Sequence, residues 1–321
     1  MARLALLLLI LIQSSTSFAE SVAILTYNAG LLHRAGVDFV PCVAPRTLYQ
    51  AKEVFSHPRF RSGKPFVLTL QEVWTEKGFN AYAKAARTFG FSISPMKYSE
   101  IKSNGQLNIT NLKVLNSEFL PFSKDSHVSR GFRITDLRLG KKSLKVINVH
   151  TTYSDSKGYS PLHIEQFTDL AYLLNEELKS FKGDIAVTGD FNAGENLAYI
   201  KQSYDPAKLL WTDWLLPMFE TRGFQEARAE GNTWDTSNPL VSKPTAVIKL
   251  VNTVHYGIAN WEEKSARLDH IFVSKNLRVS DSRLVFNKTV DLKRKCAERS
   301  DKNGYTHLSD HFGILAEIEQ R

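Results

Sequence analysis

Cysteine is scarce in this chain, which has two, Cys42 and Cys296, among 321 residues. Cysteine-based zinc sites need several thiolates, or cysteines and histidines at short spacings, so two isolated cysteines exclude a cysteine-cluster zinc site. In an exported protein the two residues would form one disulfide if the fold brought them together. The sequence does not show whether it does.

Long apolar runs are also scarce. Residues 4–12 form one that is too short to span a bilayer, and no later stretch is long and apolar enough. Arg3 precedes this run and Ser-Phe-Ala at residues 17–19 follows it, which is the layout of a secretory signal peptide with its cleavage site. We therefore expect residues 1–19 to be removed, leaving a soluble, secreted or periplasmic protein that begins at Glu20.

Several motifs of common enzyme classes are missing. The sequence has no G-x-S-x-G elbow, no H-E-x-x-H helix and no G-x-x-x-x-G-K-[ST] loop. Ser309, Asp310 and His311 carry the letters of a serine-hydrolase triad, but consecutive residues of an extended segment point to alternating faces and cannot form one. Internal repeats, Gly/Ser linkers and low-complexity tracts are also missing, which favours a single domain over residues 20–321.

The composition suits a folded, moderately basic protein. Hydrophobic residues make up 43% of the chain, enough for a full core, and the formal net charge is +8. Such a charge suits an anionic partner, either nucleic acid or a phospholipid head group, but it is equally common on proteins that have no such partner.

Short stretches rich in Val, Ile and Leu predict buried strands. They are residues 22–27, 65–70, 144–149, 184–188, 268–273 and 312–318. The clearest helix covers residues 163–181, where apolar side chains recur at three- and four-residue spacing. These side chains are Ile164, Phe167, Leu170, Ala171, Leu174, Leu178 and Phe181. Strands mixed with helices predict an α/β domain. The helical spacing of Trp211, Trp214, Leu215 and Phe219 predicts a second helix whose side chains belong to the core.

Polar residues whose side chains can bind metals or transfer protons stand at one end of each predicted strand. They are Asn28, Gln71, Glu72, His150, Asp190, Asn192, Asp269, His270, Asp310 and His311. Any one of them has a simpler explanation, because loops are polar and Asp and Asn favour turns. Six strand ends together indicate a binding site on the loops at one edge of a sheet.

The residue types indicate the chemistry of this site. Carboxylate and amide oxygens, with few nitrogens and no thiolate, suit a hard cation such as Mg²⁺ or Ca²⁺, with Mn²⁺ able to replace Mg²⁺. The histidines add groups that titrate near neutral pH. A metal and a general base without a covalent nucleophile predict metal-assisted hydrolysis, for which phosphate esters are natural substrates.

Six segments resemble, in order, the motifs of the endonuclease/exonuclease/phosphatase superfamily related to DNase I. They are L-T-Y-N (residues 25–28), L-Q-E-V (70–73), N-V-H-T (148–151), G-D-F-N (189–192), L-D-H-I-F (268–272) and S-D-H (309–311). The resemblance spans nearly all of the chain after residue 19. It implies one catalytic domain with a four-layer α/β sandwich, in which two mixed β-sheets pack face to face with helices outside.

The same resemblance implies roles on the metal side of the site. Glu72, supported by Asn28, matches the position that holds Mg²⁺, and Asp310 would be a second metal-side carboxylate.

It also implies roles for the reacting groups. His311 matches the general base that activates water, and Asp269 matches the carboxylate that orients this imidazole. Asp190 and Asn192 would hold the nucleophile and a phosphate oxygen, while His150 would bind the phosphate and stabilise its developing charge.

Within the superfamily, two segments are similar to the secreted neutral sphingomyelinases. One is N-T-W-D-T-S-N-P at residues 232–239, and the other is L-D-H-I-F-V-S at residues 268–274. The latter lacks the Trp-x-Asp-Arg pattern of phosphoinositide phosphatases. Ser-Arg-Gly at residues 129–131 is similar to a Ser-Lys-Gly segment of these sphingomyelinases. Arg130 would take the place of their lysine and would pair with Asp125. The change from lysine to arginine keeps the charge but alters its shape and hydration.

Aromatic residues also bear on whether the substrate is a sphingomyelin-like lipid. Trp234, within the first of these segments, could also be a buried tryptophan beside a turn. Tyr256 and Trp261 would suit contact with a lipid interface, although such residues more often pack within the fold.

A secreted nuclease similar to DNase I is the alternative hypothesis. A basic cluster precedes the S-D-H segment, and it would contact nucleic-acid phosphates or form a solvated loop. Its residues are Lys293, Arg294, Lys295, Arg299 and Lys302. A third hypothesis is a binding protein on this fold that has lost catalysis, which the complete set of site residues argues against.

Overall fold

The computed structural model describes residues 20–34, 36–94, 97–102, 104–124, 129–152, 161–194, 210–242, 246, 265–292, 296 and 305–321. The strands in chain order are β1 (Ser21–Asn28), β2 (His33–Arg34), β3 (Val37–Asp38), β4 (Phe66–Gln71), β5 (Ser92–Ser94), β6 (Leu107–Thr110), β7 (Lys113–Pro121), β8 (Gly131–Leu139), β9 (Lys142–His150), β10 (Asp184–Asp190), β11 (Phe224–Glu226), β12 (Asp269–Ser274), β13 (Leu277–Val285), β14 (Val290–Asp291), β15 (Tyr305–Thr306) and β16 (Gly313–Gln320).

Helices connect these strands. They are α1 (Val43–Ser56), α2 (Pro58–Arg61), α3 (Glu76–Thr88), a 3₁₀ turn (Tyr98–Glu100), α4 (Pro161–Ser180), a π-helical stretch (Leu210–Leu215), α5 (Leu216–Thr221) and α6 (Pro239–Ser242). Within the described part of the chain, no helix is long and apolar enough to cross a membrane.

Two six-stranded sheets form the centre of the molecule. The first has the order β13-β16-β1-β4-β6-β5, and the second has the order β11-β12-β10-β9-β8-β7. Each contains one parallel pair, β1 with β4 and β9 with β10, and its other neighbours are antiparallel. Both sheets are therefore mixed, as the sequence predicts.

The alternation of side chains along each strand produces the layers, because successive residues point to opposite faces. In β1, Val22 and Ile24 belong to the apolar cluster between the sheets, where they join Val146 and Ala186 from the second sheet. Ala23, Leu25 and Tyr27, which alternate with them, face outward and pack under helices.

Helices cover both outer faces. On the first sheet, α1 and α3 contribute Val54, Phe55, Phe79, Tyr82 and Ala83 to the outer cluster. On the second sheet, α4, the π-helical stretch and α5 contribute Phe167, Leu170, Leu174, Trp211, Leu215 and Phe219. The four-layer α/β sandwich predicted from the sequence is confirmed.

One end of the layer between the sheets is polar. Thr69 and Thr188 meet there with their hydroxyl oxygens 2.8 Å apart. Gln71 Nε2 donates to Asn148 Oδ1 at 2.8 Å, and Asn148 Nδ2 donates to Asn108 Oδ1 at 2.9 Å. All five side chains are buried, so these hydrogen bonds fix the relative position of the two sheets at this end.

The predicted strands are all present, and the predicted helix corresponds to α4. The prediction of a core position for Trp214 is wrong, because its side chain is 44% exposed. Leu178, one of the apolar residues of the predicted helix, is 39% exposed. Leu178 lies in the last turn of α4, next to Glu177, whose carboxylate contacts Lys145 Nζ at 3.3 Å. Trp214 lies in the π-helical stretch, whose i→i+5 hydrogen bonding shifts the spacing of its inward-facing residues.

Cys42 and Cys296 form a disulfide with a Cα–Cα distance of 5.8 Å. Cys42 occupies the N-cap position of α1, and Cys296 packs with Leu292 and Leu308 in a small buried cluster. The bond therefore links the start of α1 to the chain that leads into Ser309.

Candidate active site

The predicted site residues meet at one edge of the two sheets. The strands β1, β4, β9 and β10 end at this edge, whereas β12 and β16 are antiparallel to their neighbours and begin there. The backbone register places Asp190 between His150 and Asp269. A hydrogen bond from Asn28 Nδ2 to Asp190 Oδ2, 2.9 Å long, joins the edges of the two sheets.

His311 and Asp269 form a buried pair. His311 Nδ1 lies 2.7 Å from Asp269 Oδ2. Thr233 fixes the carboxylate's backbone, because its Oγ1 accepts from the N–H groups of Leu268 and Asp269 at 2.9 and 3.1 Å. Half-buried Trp234 bridges to the backbone of His311 and presents its ring edge-on, with centroids 5.1 Å apart.

Two carboxylates control the charge of His311. Burial alone would lower the pKa of its imidazole, but the negative charges of Asp269 and Asp190 outweigh burial and raise the pKa to about 10. The free ring nitrogen, Nε2, lies 3.9 Å from Asp190 Oδ2. This imidazole is therefore held in one orientation, with its second nitrogen directed into the site.

Asp190 is the most connected of the site residues. Its Oδ1 accepts from the N–H of Asn192 at 2.9 Å, while its Oδ2 accepts from Asn28 and lies 4.0 Å from His150 Nε2. Burial, followed by the nearby charge of Asp269, raises the pKa of Asp190 to about 6.

Asn192 adopts a conformation that non-glycine residues rarely take. Its φ is 47°, and its Nδ2 donates to the carbonyl oxygen of Thr151 at 3.0 Å. Buried His163 from α4 supports the same turn, since its Nε2 lies 2.9 Å from the carbonyl oxygen of Phe191 and 3.0 Å from Thr151 Oγ1. Strain retained at such a position is typical of functional sites.

Glu72 is also in the left-handed region, with a φ of 57°. Burial, followed by the negative charges of Asp310 and Asp190, raises the pKa of its carboxyl to about 7, although His311 acts in the opposite direction. The carboxylates of Asp310 and Asp190 thus lie close enough to Glu72 to oppose its ionisation.

A divalent cation fits this arrangement. Glu72 and Asp310 supply carboxylate oxygens, and Asn28 adds an amide oxygen that already accepts from the N–H of Gly30 at 3.0 Å. Hard cations prefer such oxygens, and a positive charge here would offset the mutual repulsion of the carboxylates. The residues predicted to hold Mg²⁺ are therefore suited to a divalent ion.

A second group of possible ligands has another explanation. Asp190, Asp269 and His311 present ligand atoms within 4.8 Å of one another. His311 Nδ1 is already engaged by Asp269, however, and its Nε2 faces Asp190. These contacts agree with the proton-transfer role that the sequence predicts for His311 and Asp269, which stays a prediction.

His150 lies between the metal side and the base side. Its Nε2 is 3.7 Å from Glu72 Oε1, and Trp74 flanks its ring with centroids 6.5 Å apart. Burial, followed by the positive charges of Arg130 and His311, lowers the pKa of His150 well below its usual value. A neutral imidazole in this position can donate a hydrogen bond to a phosphate oxygen.

All eight predicted site residues are thus brought together, while their individual roles remain predictions. Sequence reasoning missed Thr233, His163 and Arg46, which act on backbone segments around the site. Arg46 and Gln50 left one signal: two polar residues four apart on the buried face of a helix. No comparable signal marks the other two.

Some predicted features lie outside the described residues. They are residues 1–19, Asp125, Tyr256, Trp261, Lys293, Arg294, Lys295, Arg299 and Lys302. Arg130, the expected partner of Asp125, stands half-buried directly before β8, close enough to influence the pKa values of Glu72 and His150.

Comparisons with known proteins agree with this geometry. The model of the endonuclease/exonuclease/phosphatase family matches residues 29–311. A comparison with curated protein sequences finds no match.

Solved structures share the fold at low sequence identity. Sphingomyelinase C from Streptomyces griseocarneus is 17% identical, with a TM-score of 0.60, covering 92% of this chain and 99% of that one. Truncated TDP2 from Caenorhabditis elegans is 17% identical, with a TM-score of 0.60 and coverage of 93% and 98%. D. rerio TDP2 complexed with single-strand DNA product is 16% identical, with a TM-score of 0.59 and coverage of 94% and 99%. The family match over residues 29–311 shows that the chain belongs to the endonuclease/exonuclease/phosphatase family, whose members hydrolyse phosphodiester bonds with divalent metals.

Proposed function

We propose that this protein is a Mg²⁺-dependent phosphodiesterase of the sphingomyelinase type, which releases phosphocholine and ceramide from sphingomyelin. The observation that carries the hydrolytic part is the His311–Asp269 pair. Its outer nitrogen is directed toward Asp190, and Glu72 stands near His150 in the same site.

In this proposal His311 accepts a proton from the attacking water, and Asp269 holds the imidazole and stabilises its positive charge. Asp190 and Asn192 position the water and a phosphate oxygen. His150 donates to the phosphoryl group as negative charge develops on it. Bound at Glu72 and Asp310, Mg²⁺ would polarise the phosphoryl oxygen and stabilise that charge.

Aromatic side chains support a lipid head group as the substrate. Trp234 stands beside His311 and Trp74 beside His150, so an indole flanks each histidine of the site. Indole faces attract quaternary ammonium groups, and their apolar area suits the start of a lipid chain. The N-T-W-D segment that contains Trp234 resembles secreted sphingomyelinases, and sphingomyelinase C shares the fold.

We also propose that the protein acts outside the cytoplasm. The signal-peptide layout of residues 1–19 supports export, and the Cys42–Cys296 disulfide suits an oxidising compartment.

A nuclease is the second candidate. Tryptophans beside the reacting groups would equally stack on nucleobases, and D. rerio TDP2, which has this fold, was solved with single-strand DNA product. The basic cluster before the S-D-H segment would then contact the nucleic-acid backbone.

The two candidates are separated by supplying purified protein and Mg²⁺ with sphingomyelin vesicles or with supercoiled plasmid, at salt concentrations from about 50 to 200 mM. Nuclease affinity would fall by orders of magnitude over this range, because binding to phosphates releases counterions. We expect ceramide release with little salt dependence and an intact plasmid. Inert vesicles with salt-sensitive nicking of plasmid would overturn the lipid assignment.

Variants sharpen the test. Replacing Lys293, Arg294 and Lys295 together with Ala should leave vesicle hydrolysis largely intact, whereas it would damage a nuclease. Replacing Tyr256 and Trp261 with Ala should impair hydrolysis of vesicles more than hydrolysis of a soluble phosphocholine ester.

A further inference from the structure

Arg46 is a fully buried cation whose described hydrogen bonds all go to backbone carbonyl oxygens. It lies in the first turn of α1, and its exposed fraction is 0%. Its acceptors are the carbonyl oxygens of Pro41 (2.8 Å), Ala29 (3.3 Å), Leu308 (2.8 Å), Gly30 (2.6 Å) and Val40 (3.4 Å). Because burying a charge is costly, these carbonyl dipoles must replace much of its hydration.

Three of these acceptors belong to the two segments that carry the metal-side residues. Ala29 and Gly30 directly follow Asn28, while Leu308 stands two residues before Asp310. One guanidinium therefore joins two loops that are far apart in sequence.

A neighbouring side chain repeats these contacts. Gln50, one turn further along α1, donates from Nε2 to the carbonyl oxygens of Ala29 and Leu308 at 2.8 and 2.9 Å. Tyr82 from α3 holds Gln50 in turn, because its hydroxyl donates to Gln50 Oε1 at 3.0 Å. Thus α1 contacts both loops through two successive turns.

The charge of Arg46 acts on the same side of the site as its hydrogen bonds. Among the groups that stabilise its cationic form, Asp310 has the largest influence, and Glu72 also contributes. Arg46 therefore places a fixed positive charge near the carboxylates on the metal side of the site.

We propose that Arg46 is a positioning residue for the divalent cation: by holding the Asn28 and Asp310 loops at a fixed separation, it sets the affinity of the site for metal. This inference rests on the metal site of the proposed function. Residues that orient metal ligands in this way typically change metal affinity about 10- to 100-fold when they are replaced.

The substitution Arg46→Lys tests the geometry and not only the charge. Lysine keeps the positive charge but has three donors on one nitrogen, so it cannot reproduce the planar fork that reaches both loops. Arg59→Lys is the matched control. Arg59 is also largely buried, but it bonds Glu317, Ser62 and the carbonyl oxygen of Pro65, toward the opposite end of β1 and β16.

The measurement is Mn²⁺ and Mg²⁺ binding by calorimetry, alongside thermal unfolding and the Mg²⁺ concentration for half-maximal hydrolysis of sphingomyelin. We expect Arg46→Lys to weaken metal binding at least about tenfold, and Arg59→Lys to leave it within about twofold even if both variants lose thermal stability. Unchanged metal affinity in a folded Arg46→Lys protein would overturn the proposal.

Gln50→Met keeps the test decisive if Arg46→Lys does not fold. Methionine has a similar length but lacks the amide that donates to both loops, so we expect a smaller loss of metal affinity in the same direction. Unchanged affinity would contradict the proposal.

Calorimetry also separates failure of the proposed function from failure of the role given to Arg46. If the unmodified protein binds no divalent metal, the proposed function fails, whereas equal binding by wild type and variants removes only the role of Arg46.

Discussion

His311 is restrained at one ring nitrogen by Asp269 and faces the site with the other, which is the arrangement required of a general base. We predict that His311→Ala lowers kcat at least ~100-fold, the usual contribution of positioned acid–base catalysis, without loss of fold. His57→Asn is a suitable control, since His57 caps α2 away from the site and asparagine is also a good cap. Near-normal turnover in His311→Ala would show that the base lies elsewhere.

Asp269→Asn gives a prediction for pH dependence. Asp269 is one of the charges that raise the pKa of His311 to about 10, so removing it lowers that pKa. The neutral base then persists to lower pH, and the acidic limb of the pH–kcat profile should shift in that direction while kcat falls. An acidic limb that stays in place, or moves to higher pH, would contradict the assignment.

Gly30 is a position at which the lack of a side chain matters. Its φ is +55°, and a Cβ there would lie 2.3 Å from Asp310 Oδ1; Gly36, with a φ of +79°, has no atom within 4 Å of its Cβ position. Alanine at either position costs about 1–2 kcal/mol of backbone strain. We predict that only Gly30→Ala also displaces Asp310 and raises the Mg²⁺ concentration for half-maximal activity. Equal Mg²⁺ requirements in the two variants would exclude this contact from the metal site.

At this scale the sequence predicted the side chains that meet at the site and missed those that position them. Asn28, Asp190 and His311 stand out because reactive groups occur at strand ends. Thr233 and Arg46 act through the backbone atoms of segments distant in sequence. The spacing of Arg46 and Gln50 on one helix face does not indicate which segments they contact.

At the scale of elements, the position of α1 links the disulfide to the active site. Cys42 directly precedes α1, and Cys296 lies in the segment before the Asp310 loop. The disulfide therefore joins the helix that carries Arg46 to the segment that Arg46 contacts at Leu308. We predict that replacing both cysteines with Ser lowers the free energy of unfolding by roughly 2–4 kcal/mol and raises the Mg²⁺ requirement. Urea unfolding and Mg²⁺ titration would measure this, and unchanged values for both would show that the bond is dispensable.

The prediction of elements succeeded where strands are buried on both faces. β1, β4 and β10 are nearly continuous apolar runs between two layers. β7 is an edge strand with mostly exposed or half-buried residues, so its sequence carries no comparable signal. The π-helical stretch has no sequence signature here, which explains the error at Trp214.

At the scale of the whole molecule, the face-to-face sheets bring six strand ends to one edge, with an apolar core behind them. The order of the six motifs was sufficient to predict this architecture. It was not sufficient to predict the substrate, because one fold hosts many unrelated functions.

The removal and return of metal tests the central claim most directly. We predict that EDTA abolishes hydrolysis of sphingomyelin vesicles, that Mg²⁺ or Mn²⁺ restores it, and that Glu72→Gln needs more Mg²⁺ for half-maximal activity. His311→Ala should remain inactive at every metal concentration, because the cation does not replace the base. Full hydrolysis in metal-free buffer would contradict the account.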